Sequence, residues 1–220
     1  MEMVEGGSLL ELRWNYSRLR SALLAVLGGL AHSHARGILH RDIKPANILW
    51  SEYAGGDRRV VLMDYGLAAA SERTDDGLFK VSAERTGDVA GTPAYMAPEQ
   101  FQGLFRDFGP WTDLYAVGVM AFQFACARLP YDAETPLGLG VKHIQAPQPP
   151  LAPQFKVPDG FEDWVARLMQ KRPRDRFQSA AAAAMALEAL GDAEPDRKPA
   201  DASLDWSQAM AAQETLASEP

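Results

Sequence analysis

The sequence predicts an α+β fold that is mostly helical and carries a few short strands. Apolar residues recur at helical spacing over residues 17–36, and residues 113–127 are apolar on every side. Short β-prone runs lie between these two stretches and are separated by polar turn residues. At 220 residues and 47% hydrophobic composition, the chain is long enough for one domain with a full core.

The first half of the predicted domain begins with the amphipathic helix at 17–36, which Gly37 is placed to end. We expect short strands that flank loops at residues 38–39, 48–50 and 60–63. Residues 67–96 then lose periodicity and fill with Ser, Thr, Gly, Asp and Arg. Because a loop of that length is unusual unless it is functional, we predict a mobile, regulated segment.

The second half is predicted to be helical around a buried centre. The stretch at 113–127 is too short to cross a membrane, so this helix should lie inside the domain. Further helices are predicted at 135–145, 161–170 and 179–190, the last with Ser179 as N-cap and Gly191 as its stop. Beyond Gly191 the composition turns to Ala, Pro, Asp, Glu and Ser, which favours disorder. We therefore place one domain at 1–190 and an acidic tail at 191–220.

Composition excludes several classes of function. A net charge of −7 argues against a nucleic-acid or anionic-membrane binder, since either needs a basic surface. The single cysteine, Cys126, rules out an internal disulfide framework, and its apolar neighbours indicate a core residue. No stretch reaches the roughly 18 apolar residues of a membrane span, and the first residues do not resemble a signal peptide. These observations predict a cytoplasmic protein.

The strongest chemical signal is the run from His40 to Asn47, which lies between two predicted strands. Transfer of a phosphoryl group to a hydroxyl needs a carboxylate to orient the hydroxyl and a cation on the transferred group. It also needs oxygen ligands for magnesium. Asp42, Lys44 and Asn47 offer these three functions within six residues. Each residue alone would be an ordinary polar residue of a surface turn.

Two further segments change that interpretation. Asp64-Tyr65-Gly66 directly follows the predicted strand at 60–63, where the sheet would hold a second magnesium-binding carboxylate rigidly. The segment from Gly91 to Glu99, which reads GTPAYMAPE, closes the long loop that Asp64 opens. The three segments together are far more specific than any one of them.

In this order and spacing the segments resemble the protein kinase family, with DYG in place of the commoner DFG. The lysine in DIKPAN resembles the serine/threonine branch, and the Pro-rich run at 145–153 resembles bacterial members. The resemblance implies a protein-kinase-like fold in which this chain is the helical C-terminal lobe. It implies that Asp42 is the catalytic base, that Lys44 neutralises the transferred phosphate, and that Asn47 and Asp64 bind magnesium. Thr92 would brace the substrate-docking segment against Asp42 and Lys44.

The resemblance also implies structural and regulatory residues. His40 would be structural, Glu99 would be buried and paired with Arg176, and Asp113 would hold the backbone of the catalytic loop. The alternative for Asp113 is a plain acid at a helix N-terminus, where it is favourable to the helix dipole.

Arg41, directly before Asp42, resembles the arginine of kinases that are switched on by phosphorylation of the loop. Thr86 is the preferred phosphorylation site, and a plain solvated hydroxyl is the alternative.

The first residues resemble the hinge of the family, with the backbones of Glu2 and Val4 placed to bind adenine. No glycine-rich loop, strand lysine or helix glutamate accompanies them. We therefore expect a truncated reading frame whose product is inactive or nearly so alone. The parent protein would be an active serine/threonine kinase that uses ATP and Mg²⁺, with Mn²⁺ as the alternative metal. Its partners would be protein substrates and a second kinase chain.

Two alternatives remain at this stage. A stand-alone lobe could act as a protein-binding scaffold, although a scaffold does not need the set of Asp42, Lys44, Asn47 and Asp64. A small-molecule kinase of related fold would keep a similar loop and a magnesium aspartate. It would not be expected to carry the GTPAYMAPE segment.

Overall fold

The computed structural model describes residues 7–8, 14–52, 58–65 and 93–193. Its helices are α1 (Tyr16–His34), α2 (Pro98–Phe101), α3 (Pro110–Cys126), α4 (Pro136–Gln145), α5 (Phe161–Leu168) and α6 (Ala180–Ala189). Its strands are β1 (Gly7–Ser8), β2 (Ile48–Glu52) and β3 (Arg58–Leu62). The described part is therefore mostly helical with one small sheet, as the sequence predicts. The predicted loop at 67–96 and the tail beyond 193 lie largely or wholly outside the described residues.

Helix α1 confirms the helix predicted at 17–36 to within two residues at each end. The Asn15 side chain caps it by accepting a hydrogen bond of 2.8 Å from the backbone N–H of Arg18. Gly37, at φ +72°, takes the left-handed conformation that lets the chain leave the helix end. The helix buries the apolar face that the sequence predicts, which comprises Leu19, Leu23, Val26, Leu27 and Leu30.

The sheet has the order β1-β2-β3 with antiparallel pairing throughout, and Leu49 lies opposite Val61. The strands predicted at 48–50 and 60–63 are confirmed. The strand predicted at 38–39 is wrong, because the backbone donors around it bond elsewhere. The N–H of Ile38 donates to the carbonyl of Ser33 at the end of α1, and that of His40 donates to the Asp113 carboxylate.

Helix α3 lies at the centre of the domain and confirms the buried helix predicted at 113–127. It packs against α1, α5, α6 and the turn at Pro93–Tyr95. Cys126 at its end is buried, in agreement with a core role, and burial raises the pKa of its thiol. Gly118 lets α3 approach α5 closely, since a Cβ atom there would lie 2.7 Å from Cβ of Leu168.

Helices α4, α5 and α6 also match their predictions, whereas the short helix α2 was not predicted. Thr135 caps α4 by accepting from the N–H of Gly138, and Ser179 caps α6 by accepting from the N–H of Ala182. Gly191 follows α6 at φ +70°. No helix in the described ranges is long and apolar enough to span a membrane.

Two helical glycines give a test of this packing. Gly118→Ala should lower the free energy of unfolding by about 1–3 kcal/mol, because the new methyl group overpacks the contact with Leu168. Gly28→Ala should raise it by about 0.5–1 kcal/mol, because the added methyl group meets nothing within 4 Å and alanine favours the helix. Urea unfolding of the two variants measures both effects, and a Gly118→Ala variant as stable as the parent would contradict the close approach of α3 to α5.

Candidate active site

The catalytic loop, residues 40–47, brings together the three residues that the sequence predicts to be functional, Asp42, Lys44 and Asn47. Asn47 ends the 3₁₀ turn Pro45–Asn47, and its amide nitrogen donates to Asp42 Oδ2 at 2.9 Å and to the Asp42 carbonyl at 2.8 Å. Lys44 Nζ lies 3.0 Å from the same carboxylate oxygen. The loop therefore holds the Asp42 carboxylate between an ammonium group and an amide, in one defined orientation.

Asp64 directly follows Met63, the residue whose hydrogen bonds join the end of the sheet to the catalytic loop. The N–H of Met63 donates to the carbonyl of Asn47 at 2.8 Å, and the Met63 carbonyl accepts from His40 Nε2 at 2.8 Å. Asp64 itself is exposed and has φ +54°, a conformation that costs a non-glycine residue roughly 1–3 kcal/mol. Asp64 thus directly follows a residue that is hydrogen-bonded to Asn47, and its own backbone is strained.

Asp113, in the first turn of α3, lies directly beneath the catalytic loop. Its Oδ2 accepts from the N–H of His40 at 2.9 Å and its Oδ1 accepts from the N–H of Arg41 at 2.7 Å. His34 Nε2 donates to Oδ2 at 2.8 Å. The carboxylate is buried and fully engaged, so it fixes the backbone at the start of the loop rather than serving as a free acid.

Arg41 is the second strained residue of the site, with φ +65°. Its N–H bonds to Asp113, and its carbonyl accepts from Gln100 Nε2 at 2.9 Å. Gln100 also accepts from the N–H of Ala97 at 2.9 Å, so one side chain joins helix α2 to the catalytic loop. The Arg41 guanidinium is exposed and lies 5.8 Å from the centre of the Phe108 ring.

Glu99 and Arg176 form a buried, two-pronged ion pair. Both N–H···O distances are 2.8 Å, and Thr112 Oγ1 donates to Glu99 Oε1 at 2.9 Å. The guanidinium also donates to the carbonyls of Gln170, Trp111 and Lys171. These hydrogen bonds compensate the charges of both side chains, as the burial of an ion pair requires.

A cluster of titratable side chains lies next to this pair. His143 Nδ1 is 2.9 Å from the hydroxyl of Tyr115, and Lys171 Nζ donates to the His143 carbonyl and to the Tyr131 hydroxyl. Burial lowers the pKa of His143 to about 3, aided by the Lys171 ammonium and opposed by the Ala94 backbone. Burial and the nearby Arg176 guanidinium lower the pKa of Lys171 to about 8. His143 is therefore a neutral core residue at ordinary pH.

Comparison with known proteins identifies this arrangement. The family model of the protein kinase domain matches residues 1–188. The chain is 35% identical over 198 residues to the serine/threonine-protein kinase pkn3 of Myxococcus xanthus, covering 86% of this chain and 35% of that protein. It is 34% identical to the serine/threonine-protein kinase PknL of Mycobacterium tuberculosis, covering 87% of this chain and 46% of that protein. The chain belongs to the protein kinase family.

The solved structures agree on the fold. A crystal structure of the PknI kinase domain of Mycobacterium tuberculosis matches with a TM-score of 0.57 and 22% identity, covering 86% of this chain and 64% of that chain. The chain thus spans less than half the length of the two curated relatives above and about two thirds of that kinase domain. Its relatives place it among bacterial serine/threonine protein kinases, a family of enzymes.

The kinase family uses ATP and Mg²⁺, and the donor set of this site fits the metal. Because the Asn47 amide nitrogen is turned toward Asp42, the amide oxygen of Asn47 is left for a cation, and Asp64 adds an exposed carboxylate. Within the described ranges no group of three or more His, Cys, Asp or Glu side chains could hold a metal. Two protein oxygens completed by substrate phosphates and water are what Mg²⁺ commonly accepts.

Four of the predicted site residues lie outside the described residues, namely Glu2, Val4, Thr86 and Thr92. Conversely, the structure shows polar contacts at the site that sequence reasoning missed, made by Ser33, His34 and Gln100. Ser33 and His34 lie on α1, and Gln100 lies on α2. Their partners are more than 30 residues away, so no local signal in the sequence reveals the contacts.

The Glu99–Arg176 pair gives a sharp stability test. Arg176→Met should lower the free energy of unfolding by roughly 3–5 kcal/mol, because it leaves the buried Glu99 carboxylate without its counter-charge. Arg174→Met is the control, since that exposed guanidinium lies 4.0 Å from Asp175 and should contribute less than about 1 kcal/mol. Chemical denaturation followed by circular dichroism measures both, and equal losses would contradict the role of the pair.

The lowered pKa of His143 predicts that the free energy of unfolding decreases as the pH falls. Its folded pKa of about 3 lies below the ordinary 6.5, so the unfolded chain binds the extra proton as the pH falls. The contribution of His143 is complete above about pH 6.5 and is lost progressively below it. His143→Gln, which cannot titrate, should therefore show a shallower fall of unfolding free energy, by up to about 1.4 kcal/mol per pH unit. Parallel pH profiles of the two proteins would contradict a buried neutral imidazole.

Proposed function

We propose that this chain carries the phosphoryl-transfer site of a serine/threonine protein kinase, which moves the γ-phosphate of ATP to a Ser or Thr hydroxyl of a protein substrate. One observation carries the proposal. The Asp42 carboxylate is held by Lys44 and Asn47, and the segment bearing Asp64 is hydrogen-bonded to the same loop. This arrangement supplies a carboxylate, a cation and oxygen ligands at one place.

Each of these residues has a distinct role in the proposal. Asp42 orients the substrate hydroxyl and takes its proton, because its carboxylate is fixed at the loop and only half-buried. Lys44 places a positive charge where negative charge develops on the transferred group. Asn47 and Asp64 hold Mg²⁺, which neutralises the phosphates of bound ATP. Mn²⁺ is the proposed alternative metal.

The remaining predicted residues keep supporting roles. We propose that the backbones of Glu2 and Val4 bind adenine, and that Thr92 braces the substrate segment near Asp42. The exposed guanidinium of Arg41 supports a regulatory role, in which it pairs with phosphorylated Thr86.

The proposed limits of the unit are 1–190 for the kinase domain and 191–220 for the tail. We propose protein substrates and a second kinase chain as partners, and a cytoplasmic location. The 220 residues alone should transfer little phosphate, since the sequence contains no glycine-rich loop or strand lysine for the ATP phosphates.

Asp42→Asn tests the proposal. Transfer of labelled phosphate from ATP to a generic Ser/Thr substrate such as myelin basic protein should fall by roughly 10²–10⁴-fold, because the amide cannot accept the proton. The assay uses the full-length gene product that contains this chain. Asp159→Asn, which changes an exposed carboxylate before α5, should retain the activity of the parent protein.

Undiminished transfer by Asp42→Asn would refute the role of Asp42. If the full-length parent transfers no phosphate but still binds proteins through this lobe, the protein-binding scaffold becomes the better reading. Circular dichroism of the Asp42→Asn variant shows whether a loss of activity reflects unfolding instead.

A further inference from the structure

We propose that Ser33 is a positioning residue of the phosphoryl-transfer site, which fixes Tyr65 against α1 and thereby fixes the neighbouring Asp64. The inference rests on the proposed function, because it assigns Ser33 a role through the metal-binding Asp64. It starts from a hydrogen bond of 2.6 Å between the Ser33 and Tyr65 hydroxyls, which joins α1 to the segment after β3.

The direction of this hydrogen bond follows from the neighbouring carbonyl. Ser33 Oγ donates to the carbonyl of Gly29 at 3.2 Å, one turn earlier on α1. A serine hydroxyl has one hydrogen and two lone pairs, so Ser33 accepts from Tyr65 while it donates to Gly29. The chain Tyr65 to Ser33 to Gly29 satisfies a partly buried phenol that would otherwise lose its partner on leaving water.

Tyr65 is also held from its other side. Its ring lies 4.6 Å from the His40 ring, centroid to centroid, and His40 Nε2 donates to the carbonyl of Met63. The residues on both sides of Asp64 are therefore tied down: Met63 by His40 and Asn47, and Tyr65 by His40 and Ser33. Between these two fixed points Asp64 has a strained backbone, with φ +54°.

The strained backbone of Asp64 makes the Ser33–Tyr65 bond important. At φ +54°, Asp64 occupies a conformation that a non-glycine residue leaves unless its surroundings impose it. The net contribution of one hydrogen bond is of the same order as that cost. Loss of the Ser33–Tyr65 bond should therefore let Asp64 populate relaxed conformations, in which its carboxylate would bind Mg²⁺ less tightly.

The decisive measurement is the Mg²⁺ concentration that gives half-maximal phosphate transfer by the full-length gene product. Ser33→Ala and Tyr65→Phe should each raise it about three- to tenfold, because each removes the same bond. The double variant should show the same rise as either single variant, since the bond can be lost only once. Ser33→Thr keeps the hydroxyl and should restore the Mg²⁺ dependence of the parent.

Ser21 is the matched control. It lies on the same helix and donates to the carbonyl of Ser17 at 2.8 Å, the same four-residue spacing as Ser33 and Gly29. Ser21→Ala should leave the Mg²⁺ dependence unchanged, because the hydroxyl of Ser21 bonds only within α1 among the residues that the structure describes. A purely structural role for Ser33 would lower the maximal rate and the thermal stability without shifting the Mg²⁺ dependence.

A second measurement uses the 220-residue chain and needs no activity. The N–H of Met63, which bonds to Asn47, should exchange with deuterium about three- to tenfold faster in Ser33→Ala than in Ser21→Ala. Equal exchange in these two variants would overturn the inference. Unshifted Mg²⁺ dependence in both Ser33→Ala and Tyr65→Phe, or additive effects in the double variant, would also overturn it.

Asp64→Asn separates this inference from the proposed function. If Asp64→Asn shifts or abolishes the Mg²⁺ dependence while Ser33→Ala and Tyr65→Phe do not, the positioning role of Ser33 fails and the site stands. If Asp64→Asn leaves the Mg²⁺ dependence unchanged, the proposed metal role of Asp64 fails, and the inference about Ser33 fails with it.

Discussion

The buried carboxylate of Asp113 is the constraint on which the site depends. It accepts hydrogen bonds from the backbones of His40 and Arg41 and from the ring of His34, and it lies in the first turn of α3, where the helix dipole favours a negative charge. Because α3 lies at the centre of the core, the loop that Asp113 bonds to it is held rigidly in place. A loop that begins on such an anchor can hold Asp42 in place without substrate.

Arg41 and Asp64 are the two residues of the site with a positive φ in the described part of the chain, and hydrogen bonds lie on both sides of each. Arg41 is fixed by Asp113 at its N–H and by Gln100 at its carbonyl, while Asp64 is flanked by the bonded residues Met63 and Tyr65. His40 joins the two strained points, since its backbone bonds to Asp113 and its ring bonds to the Met63 carbonyl. His40 and the backbone bond from Met63 to Asn47 therefore position the catalytic loop and the segment after β3 relative to each other.

The sequence predicts those parts of the structure that local patterns determine. Periodicity and caps are enough for α1 and α3 to α6, because each helix buries an apolar face or is buried entirely. The resemblance placed the opposite charges of Glu99 and Arg176 together. The strand at 38–39 is predicted wrongly. The N–H of His40 donates to the Asp113 carboxylate, 73 residues away, and β-propensity does not reveal such a contact. The sequence does not reveal the Ser33–Tyr65 and Gln100–Arg41 contacts for the same reason, since only the tertiary fold creates them.

Two adjacent residues of α3 hold the catalytic loop and the segment at 93–101, which form the two walls of a cleft. Thr112 donates to Glu99, which anchors the segment at 93–101, and the next residue, Asp113, anchors the catalytic loop. A small cleft between these walls is lined by Asp42, Tyr95, Thr112 and Asp113, among others. Because consecutive residues of one rigid helix hold both walls, the cleft cannot widen without breaking buried polar bonds.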